Sequence, residues 1–305
     1  MAFAPLFGYV LPETLEKDAR ELHEIFKASA QSFASAAPFL TDTGKGKVAL
    51  IWKAQEQIAP LSSIRQEIGD CVGFGYSRGD DLVSCVEIVL RKEPESWKGY
   101  SSSEWIYGTS RVLVGGGRIR GDGSIGSWAA KAVSEHGTLL RAKYPQVDLS
   151  RYDGDRAKLW GSSSGFPREL ETLADEHPIK TTALVKTYEE ARDMIANGYP
   201  VAVCSRQGFS DKRDAEGFAR PQGVWPHCML FIGGDDSFRR PGLLCDNRSW
   251  GDDWNGGPTR HDQPGGTFWV DANVVDKMLS EQDSYALADK TGYRVRVNDL
   301  DNRPW

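Results

Sequence analysis

A chain of 305 residues with ten tryptophans and twelve phenylalanines can fill one large core, or two lobes around a shared one, without a disulfide staple. Its net charge of −6 is mild and its Lys and Arg are scattered, which argues against a nucleic-acid partner. No run is long and apolar enough to span a bilayer, and Met1-Ala2-Phe3-Ala4-Pro5 lacks the charged start and apolar core of a signal peptide. No membrane partner and no signal-directed secretion are expected.

The cysteines, Cys71, Cys85, Cys204, Cys228 and Cys245, are odd in number and show no C-x-x-C spacing. Free thiols in a reducing compartment are expected, in the cytoplasm or in a virus particle assembled there. His23, His136, His177, His227 and His261 have no ligand spacing, so no metal is expected.

The first elements are helical. Leu15, Ala19, Leu22, Phe26, Ala30 and Phe33 recur at spacings of three and four, which predicts an amphipathic helix over 12–37 stopped by Pro38. Ahead of it Phe3, Leu6, Phe7 and Tyr9 are apolar side chains that suit a partner's surface better than water. The polar, Gly-containing stretch 41–46 is the clearest candidate boundary. From Cys71 to about Leu90, Phe74, Leu82, Cys85 and Val89 can share one buried side of a helix, although Gly73, Gly75 and Gly79 lower its propensity. Further helices are predicted over 103–114 and 127–136. Between them Gly115–Gly123 forms a flexible loop carrying Arg118 and Arg120. Phosphate binding there would need a preceding strand and a Lys-Ser/Thr ending, and neither is present.

After about residue 178 the pattern changes. Short apolar or alternating runs at 181–186, 201–205, 228–233, 242–247, 266–270 and 285–288 predict strands, with one helix over 188–197. Helices first and strands second imply an α+β protein whose halves meet at a cleft. Residues 289–305 form a polar tail.

Three local patterns carry chemistry. The first is Gln66-Glu67-Ile68-Gly69-Asp70-Cys71-Val72-Gly73-Phe74, the second Pro226-His227-Cys228-Met229, the third Asp246-Asn247-Arg248-Ser249-Trp250-Gly251. A thiol at a helix start, a histidine and an amide in that order suit a thiol hydrolase: the helix terminus favours a thiolate, the histidine generates it and the amide orients the imidazole. This order resembles the papain-like cysteine peptidases, over roughly residues 48–288. Cys71 and His227 are separated by roughly the interval such chains use.

The resemblance implies a two-lobed papain-like fold, with a strand and loop over 48–66 leading to a long central helix from Cys71 to about Leu90, a helical lobe over about 66–178, an antiparallel sheet or barrel over about 179–288, and a cleft between them. Around this domain, 47–288, lie an N-terminal extension, 1–46, and the tail, 289–305. It further implies a peptidase with Cys71 as nucleophile, His227 as general base and acid, Asn247 as orienter and Gln66 as oxyanion donor. Gly121, Gly123 and Trp250 would line the substrate cleft, and no cofactor is implied. The chain departs from the family in three places. Gln66 stands one position closer to the cysteine than usual. Ile68 replaces a half-cystine of secreted members. Arg248 intervenes between Asn247 and Ser-Trp-Gly, so that Asp246 is an alternative orienter on an alternating strand.

Two rival readings stay open. One is a papain-like shell used structurally in a larger assembly such as a virus particle, with protein partners held by residues 1–40 and 289–305. The other is a cell-wall (murein) endopeptidase, since Asp70-Cys71-Val72-Gly73-Phe74 resembles the NlpC-type helix start. The helix over 12–37 is expected to dock away from the Cys71–His227 cleft and not to act as a removable plug.

Overall fold

The computed structural model describes residues 5–91, 96–179 and 181–288; the tail expected at 289–305 and the apolar Phe3 lie outside them. The chain opens with an extended stretch, then α1 (Lys17–Ser29), a short strand β1 (Gln31–Ser32), α2 (Phe33–Ala36), β2 (Val48–Ala49) and α3 (Trp52–Glu56). The helical lobe follows: α4 (Cys71–Arg91), α5 (Ser103–Thr109), α6 (Gly126–Glu135), α7 (Gly154–Trp160) and α8 (Leu170–Ala174). The second lobe holds β3 (Thr181–Leu184), α9 (Tyr188–Ala196), β4 (Val201–Arg213), β5 (Ala219–Asp235), β6 (Gly242–Asp246), β7 (Thr267–Asp271), α10 (Ala272–Leu279) and β8 (Tyr285–Ala288). None of the described helices is long and apolar enough to cross a membrane.

The strands form one sheet in the order β1-β3-β8-β4-β5-β6-β7, with β2 pairing on β5, and the sheet does not close into a barrel. The pairs are antiparallel apart from β1 beside β3. Helix α4 packs against β5, with α3, α5 and α6 around it. Its glycines are the condition for that packing. A Cβ on Gly79 would lie 2.2 Å from the Leu287 side chain, and one on Gly73 would lie 2.5 Å from the Ser103 carbonyl. The propensity they cost the helix is exchanged for close contact with its neighbours.

Residues 12–37 are not one helix. After Ala30 turns extended, Gln31 and Ser32 pair with Ala183 and Leu184, and Ser32 caps α2 by accepting the Ser35 N–H. Pairing with the sheet overrides the helical period. The apolar stripe divides at the same point. Leu15, Ala19, Leu22 and Phe26 pack on Trp128, Ile125 and Ala132, while Ala30 and Phe33 pack on the main core. The stretch 48–66 contains α3 as well as a strand, and α7, α8 and α10 went unpredicted. The helix expected over 103–114 widens into a π-helical turn at Ser110–Val114.

Candidate active site

Cys71 is the first residue of α4, and its sulfur lies against β5. Sγ accepts the backbone N–H of Cys228 at 3.3 Å, so the thiol sits beside the residue that follows His227. His227, within β5, has its Nε2 2.8 Å from Asn247 Oδ1, while its Nδ1 is buried with no hydrogen-bond partner. Trp250 lies over the imidazole, ring centroids 4.6 Å apart, and Trp225 and Trp254 pack on Trp250 in turn. The His227–Asn247 bond is thus enclosed by indoles. Ser249 Oγ donates to the same Asn247 oxygen at 3.3 Å.

Arg248 does not misdirect Asn247. At Asn247 the chain leaves strand geometry (φ −122°, ψ 34°) and Arg248–Trp250 form a single 3-10 turn, so strand alternation no longer applies. The alternative orienter is excluded by its own partners: Asp246 accepts the Arg248 N–H, Nε and Nη2 and lies 3.6 Å from Arg78 Nη1. Burial would raise the Asp246 carboxyl, but Arg248 and Arg78 hold it below its ordinary range.

Gln66 comes to the same place through a loop whose backbone N–H bonds Ser249 O. Its Nε2 donates to Ile68 O at 2.9 Å and to Leu6 O at 3.3 Å, and Trp250 Nε1 donates to that Leu6 oxygen at 3.0 Å. The two side chains therefore converge on one carbonyl oxygen, that of Leu6. Gly123 lines the groove: its Cβ would meet Val10 at 2.6 Å, and at φ +111° only glycine is unstrained. Gly121 faces open space, and its carbonyl accepts Arg111 Nη2.

The sequence reading missed what fills this groove. Residues 6–10 run through it. Tyr9 N–H donates to Pro226 O, Val10 N–H to Ser124 O, and Ser124 N–H to Gly8 O; Tyr9 and Ser124 form a parallel bridge. Phe7 stands edge-on to His227 and Trp250. The Gly8 backbone also bonds the Cys71 thiol. The expectation that residues 12–37 dock away from the cleft agrees with α1, which packs on α6; the groove is filled by the segment ahead of them, for which a partner's surface was expected. The apolar cluster around Leu6, Phe7 and Tyr9 was the available signal, since such side chains must cover something.

Covering the site changes its electrostatics. Cys71 and His227 are both fully buried. Burial, then the neighbouring Cys228, pushes the Cys71 thiol well above its ordinary value, opposite to the lowering expected at a helix start. Burial likewise lowers His227 to about 4, against the opposing bond from Asn247. The pair is neutral, and Cys71 and His227 are not hydrogen-bonded to each other in this covered state.

No family model matches the chain, and no curated protein matches it. Among solved structures it is similar to xylellain, a cysteine protease from Xylella fastidiosa, at 15% identity over 94% of each chain with a TM-score of 0.50. It is also similar to digestive procathepsin L 3 from the Tenebrio molitor larval midgut, at 14% identity over 79% of this chain and 69% of the other, TM-score 0.46. The first likeness shows the fold: α+β, two-lobed, papain-like.

Proposed function

We propose that this protein is a cysteine peptidase that hydrolyses peptide bonds through Cys71, His227 and Asn247, with Gln66 as oxyanion donor. The observation that carries this reading is the held imidazole. Asn247 fixes His227 by Nε2 under Trp250 and leaves Nδ1 unpartnered, while the Cys71 sulfur touches the next residue of the same strand. Once the groove is open to water, the thiol and imidazole lose the burial that keeps both neutral. His227 Nδ1 then takes the Cys71 proton as Sγ attacks the peptide carbonyl carbon. Gln66 Nε2 and the Cys71 N–H stabilise the oxyanion. The imidazolium returns the proton to the departing amine, and water, deprotonated by His227, hydrolyses the thioester.

The segment across the groove covers the site, held by backbone bonds of Tyr9 to Pro226 and of Gly8 and Val10 to Ser124. The test therefore uses a full chain carrying Gly8→Val. A Cβ at Gly8 would lie 2.0 Å from the Gly69 carbonyl oxygen, so that substitution cannot keep the segment in place. We expect this chain to cleave a fluorogenic peptide mixture, and Cys71→Ala or His227→Ala in the same background to lower the rate about 10³-fold or more. Equal rates with and without Cys71, or a folded Gly8→Val chain with no cleavage and ordinary thiol reactivity at Cys71, would replace catalysis by the structural-shell reading.

A further inference from the structure

Beneath the proposed nucleophile lie two thiols that peptide hydrolysis does not use. Cys228 follows His227 in β5, its thiol donating to Met229 O at 3.8 Å, and Cys204 of β4 stands directly opposite it in the antiparallel ladder. Cys228 is also tied to Cys71, by the 3.3 Å contact of its N–H with Cys71 Sγ. One further N–Cα bond places the Cys228 Cα within about 5 Å of that sulfur. Its thiol occupies a notch in α4, where a Cβ on Gly75 would lie 2.8 Å from Cys228 Sγ. Gly75 is four residues after Cys71, so the notch lies on the same helix face, one turn along. Both cysteines are buried within a shared contact between α4 and β5. A disulfide needs Cα atoms usually about 4.4–6.8 Å apart, a span these contacts allow.

We propose that Cys228 is a resolving thiol that captures oxidised Cys71 as an intramolecular disulfide. The proposal rests on the reading of Cys71 as a reactive nucleophile. The oxidant is a hydroperoxide, which reaches Cys71 when the segment over the groove lifts. The Cys71 thiolate attacks one peroxide oxygen, the O–O bond breaks, and a sulfenic acid forms as the other oxygen leaves as water with hydrogen peroxide, or as an alcohol with an alkyl peroxide. The Cys228 sulfur then attacks the Cys71 sulfur. The S–S bond forms, the S–O bond breaks, and hydroxide leaves as water with the Cys228 proton. Two thiols lose two electrons and one peroxide gains them. Cys204 stands opposite Cys228 in the ladder, so a Cys204–Cys228 bridge is the competing product.

The test treats the full chain, wild type and Gly8→Val, with hydrogen peroxide and maps linked peptides without reductant. We expect a Cys71–Cys228 cross-link with a mass loss of about 2 Da, reversed by dithiothreitol. In Cys228→Ala, Cys71 should instead gain about 32 Da as sulfinic acid, which dithiothreitol does not reverse. Sulfinic acid at Cys71 of the wild type with no cross-link, or a Cys204–Cys228 bridge with Cys71 left free, overturns the proposal. If a thiol-directed alkylating probe still labels Cys71 preferentially in those samples before oxidation, the nucleophile reading survives that failure. If neither the probe nor peroxide modifies Cys71 in the Gly8→Val chain, both readings fall.

Discussion

The residue that carries most of the site's electrostatics is His227. Its neutral form is enforced by burial, which lowers it from an ordinary 6.5 to about 4. A histidine depressed in the folded state contributes stability above its unfolded value, and that contribution is lost as pH falls from about 6.5 through about 4. The unfolded chain takes up the proton first. Between pH 7 and pH 4.5 the wild type should therefore lose about 2 kcal/mol more than His227→Gln, measured by urea unfolding at both values. Equal losses would mean that His227 is not desolvated as described. The sequence pattern identified Cys71, His227, Asn247 and Gln66 as a group, and the fold brings them to one groove. The direction of the Cys71 shift was not legible. Helix position is a local property that lowers a thiol, whereas the burial that raises it comes from segments distant in sequence, β5 and the stretch over the groove among them.

At the scale of elements, the extension divides into a clamp and a cover. Helix α1 is the clamp, docked on α6 through Leu15, Ala19, Leu22 and Phe26 around Trp128, with His23 Nδ1 2.8 Å from Ser127 Oγ. The cover is the extended segment through the groove, fastened by backbone bonds to Ser124 and Pro226. The two share the Trp128 cluster only through Val10, so the stretch from Phe7 to Tyr9 can be displaced while α1 stays docked. Gly8→Val should raise the rate of alkylation of Cys71 by at least about tenfold, since labelling tracks the population of the open form. Amide exchange in α1 should stay protected. Loss of protection across α1 in the same variant would show instead that clamp and cover open as one unit. The break of the 12–37 helix belongs to this scale too. Ala30 and Phe33 keep the apolar spacing of α1, so periodicity read them as one stripe; the edge of the sheet, available only after folding, takes Gln31 and Ser32 away.

Across the whole molecule, the helical lobe is tied around a buried charge. Glu104 is fully buried in α5 and accepts from Ser102 Oγ, Arg141 Nη2 at 3.0 Å, Arg156 Nη2 at 2.9 Å and the Asp153 N–H. One carboxylate thus joins α5, the long connection after α6 and the start of α7. Glu104→Ala leaves the largely buried Arg141 without its counter-charge and Arg156 with only the 3.9 Å ion pair with Asp153, and should cost about 3–5 kcal/mol in urea unfolding. A loss below about 1 kcal/mol would mean the arginines find other partners. Nothing in the sequence around Glu104 announces this hub, because its arginines lie 37 and 52 positions away. What the sequence determined by itself was what short-range rules encode: the helices at 71–90 and 127–136, the strand-rich second half, and the order of Cys71, His227 and Asn247. Only the tertiary structure decided how Asn247 aims despite Arg248, which carboxylate is neutralised by which arginine, and that residues 6–10 lie over the thiol. Each of these depends on distant segments meeting where water is excluded, and local periodicity holds no information about those meetings.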